Sequence, residues 1–291
     1  MDVLRIIPLI LHVISILLHT LGIYLLRQQT LNTSNQIPLL LNLSIAEIFM
    51  SVFDFTYNIL QHSNVNKNTT EYFYTIQCTC FVISYFLILI VLTLDRFFEV
   101  YLNITYPVYF SRQIVSRCLA VCWIIGFTLC VLLVILRYTI NIDSLRVVFL
   151  ILFPTFESIF FTVAVLTYGY IFKKYRKANL SQAKGGSNTS LQKRTFKRRK
   201  FFVPTLIIVT FFFFAIIPDQ LHLFLFYLYD AGSNKALDAI LTLYVIGFIC
   251  DALIYIFFPK GNRTMLKKMF KPHRAVVHPA TTWSAETSSH H

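Results

Sequence analysis

Charge is scarce in this chain. Only 13% of its 291 residues are Asp, Glu, Lys or Arg, while 56% are hydrophobic and 16% aromatic. A water-soluble domain carries roughly a quarter charged residues. Half that share excludes a fully solvated surface and implies that lipid covers much of the chain. Cysteine is sparse as well: Cys78, Cys80, Cys118, Cys122, Cys130 and Cys250 all lie within or at the ends of apolar stretches, and none forms an array with histidines. That disfavours a metal framework and leaves buried free thiols as the expectation. Internal repeats are missing, which disfavours a transporter or channel with Glu47, Asp54 and Asp251 along its path. His12, His19 and His62 are scattered, so the clustered ligands that a membrane enzyme would need are missing too. No enzymatic activity and no bound metal are expected. Acid is the scarcer sign, giving a net charge of +13. The basic residues flank apolar runs, which points to a membrane surface and away from nucleic acid.

Seven apolar runs reach the length of about 20 residues that crosses a bilayer. They lie near Ile6–Leu26, Pro38–Leu60, Tyr74–Val100, Cys118–Leu136, Val147–Phe172, Phe201–Tyr229 and Leu237–Phe258. The first is too long, and lacks the cleavage site, for a signal peptide, so it reads as an anchor that stays. Lys and Arg orient the bundle. Connections one, three and five together with the end of the chain carry 21 of them, eleven in 173–200 alone, and the opposite side carries five. The richer side is expected to be cytoplasmic, with the amino terminus outside. The sequon at Asn68 then falls in an outer loop, open to glycosylation, the longest such loop being near Gln61–Phe73.

The expected architecture is an all-α membrane protein, a seven-transmembrane helix bundle over 1–258 whose connection 173–200 is flexible and basic. A short amphipathic interfacial helix follows over 259–272, with Met265, Leu266, Met269 and Phe270 recurring at helical spacing among lysines. Residues 273–291 are polar and read as a disordered cytoplasmic tail.

Charges inside a span cost about 2.5–3.5 kcal/mol even on the mildest scale, so each needs a reason. Asp95 and Arg96 sit together at the end of the third run. Alone they could be an interfacial pair marking a helix end. Asp95-Arg96-Phe97, with Leu92 and Leu89 one and two turns earlier, resembles the Asp-Arg-Tyr end of the third helix in rhodopsin-like (class A) G-protein-coupled receptors. "NLSIAEI" (Asn42–Ile48) is similar to that family's second-helix motif, with Glu47 in the place of its aspartate. Trp123 stands where the fourth helix carries a tryptophan, and Tyr168 with Ile171 fits the fifth. "FFFFAIIP" matches the sixth-helix motif through Phe212 and Pro218, with Ile216 replacing the tryptophan. "DALIY" matches the seventh through Asp251 and Tyr255, with Ala252 replacing the proline.

The resemblance implies a receptor at the plasma membrane that converts an extracellular signal into activation of a heterotrimeric G protein. In this family the acid holds the arginine at rest; outward motion of the sixth helix then releases it. Asp95 would be the restraint, Arg96 the switch, and Tyr168, Phe212 and Tyr255 the relays. Glu47 and Asp251 would form a polar core that could hold a sodium ion or a proton. Ser187, Thr189, Ser190, Thr281, Thr287 and Ser288 would be candidate phosphorylation sites recruiting arrestin, and the basic residues would meet anionic lipid.

Several positions depart from the family. His19 replaces an asparagine in "LLHTLGIYLL", and the usual outer disulfide looks absent because Glu71 falls near one expected cysteine and Tyr138–Arg146 contains none. No lysine lies in the seventh span, which excludes a retinal Schiff base. Asp54, Cys78, Glu157, Asp219 and His222 are the ligand-pocket candidates. Three acids with no Lys or Arg among them favour a cationic small molecule or peptide end. Acids near a histidine would also suit proton sensing, and loss of the tryptophan and proline would suit constitutive activity. Tyr57, Tyr85, Phe214, Tyr227 and Tyr244 read as core or lipid-facing.

Overall fold

The computed structural model describes residues 3–28, 36–63, 67–102, 105–140, 151–183, 234–257 and 260–269. Every regular element among them is helical. We number the described helices α1 (Val3–Arg27), α2 (Gln36–His62), α3 (Lys67–Ile76), α4 (Ile83–Leu102), α5 (Tyr106–Tyr109), α6 (Arg112–Ile140), α7 (Phe153–Ala183), α8 (Asn234–Phe257) and α9 (Lys260–Met269). A π-helical turn, Gln77–Val82, joins α3 to α4 without a break. The expected sixth span, and with it Phe212, Asp219 and His222, lies outside the described residues.

Five stretches are long and apolar enough to cross a membrane: Ile6–Arg27, Gln36–Leu60, Thr79–Leu102, Arg112–Thr139 and Phe153–Lys174. Val245–Phe257 and Gly261–Lys267, with an 83° bend between them, reach that length only when taken together. In lipid every backbone group must be satisfied within the segment, which is why the spans are helices. Side-chain hydroxyls that would otherwise be orphaned turn back onto the carbonyl four residues earlier, as Thr93 does to Leu89 (2.8 Å) and Thr162 to Ser158 (2.8 Å).

Two boundaries differ from the hydropathy reading. The third helix begins at Lys67, inside the stretch expected to be an outer loop. "KNTTEYFYTI" is polar on average, but Tyr72 and Phe73 pack on neighbours: Phe73 stacks on Phe53 (4.7 Å) and Tyr72 on Tyr138 (5.7 Å), with the Arg137 guanidinium 4.4 Å over the Tyr72 ring. Likewise α7 continues to Ala183, so the first residues of the basic connection are helical.

Of all the described helices, α4 is the most enclosed, with Ile83, Phe86 and Ile88 completely buried. It packs on α2, α6 and α7, while α1 packs on α2 and α8. The α4–α6 contact depends on Gly126, where a Cβ would lie 2.7 Å from the Cys80 carbonyl oxygen and closer still to Ser84 Oγ. Small residues allow this approach where lipid supplies no hydrophobic drive between helices. The approach leaves the free thiols of Cys80 and Cys130 in contact across the same interface. Trp123 on α6 donates its indole N–H to Asn42 Oδ1 on α2 at 3.0 Å, and Asn42 Nδ2 donates to Pro38 O at 2.9 Å. Away from these contacts the helices present apolar side chains such as Leu17, Leu166 and Phe172, each about two-thirds exposed.

Candidate functional site

Among the described residues, two polar clusters interrupt the apolar interior. The first is at the C-terminal end of α4. Asp95 is fully buried and Arg96 is 5% exposed. Arg96 Nη2 donates to Asp95 Oδ2, and Nη1 donates to Glu99 Oε2 at 2.5 Å. Tyr106, on the short α5, donates its hydroxyl to the other Asp95 oxygen. From α2, Gln36 turns its amide oxygen, oriented by the hydrogen-bond network, to both terminal guanidinium nitrogens. The Tyr168 hydroxyl on α7 approaches Thr93 and Arg96.

A charge pair withdrawn from water is tolerated when its remaining hydrogen-bonding groups are also met. Here both Asp95 oxygens and both Arg96 terminal nitrogens have partners, leaving only Arg96 Nε without one. Aromatic packing sets the geometry. Phe98 and Tyr106 both stack on Phe110, at 4.7 and 5.8 Å, which carries the Tyr106 hydroxyl to Asp95. On the other side Phe97 meets Tyr170 at 5.2 Å, and Lys174 Nζ donates to the Val100 carbonyl at 2.5 Å, fixing α7 to the last turns of α4.

The second cluster lies at mid-depth between α1, α2, α4 and α8. His19 and Glu47 are wholly buried, and Asp251 nearly so. His19 Nε2 lies 3.0 Å from the Phe248 carbonyl oxygen, which can only accept, so the ring carries its proton there. The opposite nitrogen, Nδ1, lies 3.2 Å from Glu47 Oε2. Two acceptors cannot bond, so that contact needs one proton, on either the ring or the carboxyl. Asp251, Tyr85 and Tyr255 lie against the Glu47 carboxyl. Tyr85 donates to Asp251 Oδ2 at 3.3 Å, and the Tyr255 ring is 5.9 Å from the His19 ring. One turn outward on α1, Ser15 bonds Ser51 at 3.1 Å.

Neither Glu47 oxygen receives a well-aligned hydrogen bond. Among the described residues no set of three or more His, Cys, Asp or Glu is grouped to hold a metal ion.

A multi-pass helical bundle, with one buried charged pair at a helix end and a second polar cluster at its centre, has the make-up of a membrane signalling receptor. The sequence profile of the 7 transmembrane receptor (rhodopsin family) matches residues 21–256. The chain belongs to that family, and it is a multi-pass membrane receptor of the G-protein-coupled class. Compared with individual curated proteins, it matches none.

Of the residues expected at the switch, Asp95, Arg96 and Tyr168 come together, while Tyr255 is placed in the central cluster. Glu47 and Asp251 meet in the central cluster. His19, singled out only as a departure, supplies the third member, and Tyr85, read as core or lipid-facing, donates into the cluster. Asp54 is buried on α2 and Glu157 half-buried on α7. Cys78 lies in the π-helical turn and Asn68 at the start of α3. Glu99, Tyr106 and Gln36 were not singled out. Of these, Glu99 carried a signal, since an acid three residues after an arginine on a helix is within pairing distance.

Proposed function

We propose that this receptor passes an extracellular signal to a heterotrimeric G protein by releasing Arg96 from Asp95 when the sixth helix moves outward. The observation that carries the reading is the buried, almost fully satisfied Asp95–Arg96 pair at the end of α4, one arrangement of a group able to take two. Tyr168 stands beside it, and Tyr255 on α8 and Phe212 of the sixth span are the further relays. The receptor sits in the plasma membrane with its amino terminus outside and the basic connections inside, and Asn68 is the glycosylated residue. Its ligand is a cationic small molecule or peptide end, met by Asp54, Glu157, Asp219, His222 and Cys78. Arrestin binds once the serines and threonines of 187–190 and 281–288 are phosphorylated.

A second reading, a receptor set by protons, draws on the buried approach of His19 Nδ1 to Glu47 Oε2 at 3.2 Å. Residues 1–258 form the receptor domain, 259–272 the interfacial helix and 273–291 the tail.

The test is ligand-free signalling in cells, read with a panel of G-protein dissociation sensors, for the receptor and Arg96→Ala at matched surface level. Output lost with that substitution is the expected result. Output unchanged by it overturns the reading.

A further inference from the structure

Arg96 is bound by a second carboxylate that no part of the reading above requires. Glu99 lies three residues further along α4, its Oε2 2.5 Å from Arg96 Nη1. Asp95 is sealed from solvent while the Glu99 side chain is 27% exposed, so the guanidinium joins a dry acid to a wetter one. The surrounding sequence makes this contact singular. The segments 27–36, 100–117 and 173–200 contain no Asp or Glu, and the last carries eleven Lys and Arg. Beyond the last span only Glu286 is acidic. On that side of the bundle an arginine leaving Asp95 finds repulsion rather than another carboxylate.

We infer that Glu99 is a positioning residue that holds Arg96 against its own helix and so sets how far the resting receptor stands from signalling. The inference rests on the function proposed above. The geometry gives the direction of the effect. Asp95 and Glu99 are both on α4, one beside Arg96 and the other about a turn away, so a guanidinium bonded to both is bent back along the helix surface. Gln36 closes the same arrangement from α2. Reaching away from α4 means breaking both charged contacts, and either one alone holds the side chain less firmly. A conformational equilibrium moves only by the contacts that differ between its states. The Glu99 contact exists only in the bent state.

The experiment measures ligand-free output with the same sensors for Glu99→Gln, Glu99→Asp, Arg96→Ala and Arg96→Ala/Glu99→Gln in the full-length receptor, at matched surface level. Glu99→Gln keeps the size and removes the charge; output is expected to rise about three- to tenfold, the scale of one lost charge-assisted contact. Glu99→Asp keeps the charge and is expected to return output close to that of the unmodified receptor, which a purely structural role would not produce. The double variant is expected to be silent. Should Glu99→Gln fail to reach the surface, Glu99→Ala is read in its place. Output equal to or below the unmodified receptor in Glu99→Gln, with Arg96→Ala still reducing it, overturns this inference and leaves the proposed function standing. Output indifferent to Arg96→Ala overturns both.

Discussion

Replacing His19 with leucine tests the central cluster directly. Leucine is close to histidine in volume, so little cavity is created and the effect reports the lost polar contacts. The ring's bond to the Phe248 carbonyl, 3.0 Å and fully buried, contributes about 1 kcal/mol. Its loss also leaves the Glu47 carboxyl without its α1 partner at 3.2 Å, and a buried polar group so abandoned costs about 1–3 kcal/mol. Together His19→Leu should destabilise the receptor by about 2–4 kcal/mol, lowering its melting temperature by roughly 5–10 °C in a domain of this size. The assay is thermal unfolding of purified receptor in detergent, for His19→Leu, Glu47→Leu and the double variant. Because half or more of the cost is the lost contact between His19 and Glu47, removing the acid as well should add little to it. The double variant is expected to be more stable than the sum of the single effects by at least about 1 kcal/mol. Additivity within about 0.5 kcal/mol would refute the reasoning, since distant independent sites behave in that way.

Gly126→Val should lower surface expression sharply, because its Cβ would meet the Cys80 carbonyl oxygen at 2.7 Å; overpacking of this kind costs about 1–3 kcal/mol, read as a fall in melting temperature. Trp123→Phe keeps an aromatic ring but removes the 3.0 Å bond to Asn42, with an expected loss of about 1 kcal/mol read as a fall in melting temperature. Arg137→Ala, which removes the cation over Tyr72, should cost only about 0.5–1 kcal/mol, seen as a small drop in melting temperature with signalling unchanged.

How much could be read from the sequence depended on what each feature needs. The long apolar spans and the adjacent charges at Asp95-Arg96 are local patterns of hydropathy and charge, so they were legible. The polar start of α3 was not, because "KNTTEYFYTI" is held as a helix by tertiary stacking of Tyr72 and Phe73 rather than by an apolar average. His19 was visible as an oddity, yet its partners Glu47 and Phe248 are 28 and 229 residues away, and their depths match only once α1, α2 and α8 pack together. Tyr106 and Gln36 reach the switch from a loop helix and from the first turn of α2, and no periodicity within either segment points there. Tyr85 illustrates the converse difficulty: an aromatic residue in an apolar run gives no sign that its hydroxyl has a partner.

The π-helical turn at Gln77–Val82 bears on how any future ligand is sought. A π turn holds more residues than an α turn, with bonds from i to i+5. One residue of excess rotates everything beyond it by about 100° relative to uninterrupted α-helical numbering. Positions counted back from Arg96 therefore keep their faces as far as Ile83 and lose them before Ile76. A pocket map copied from relatives with a plain third helix would rotate the outer half of this one, directing mutagenesis at residues that face the wrong neighbours. For this receptor the outer part of the pocket has to be numbered afresh from Lys67 inward.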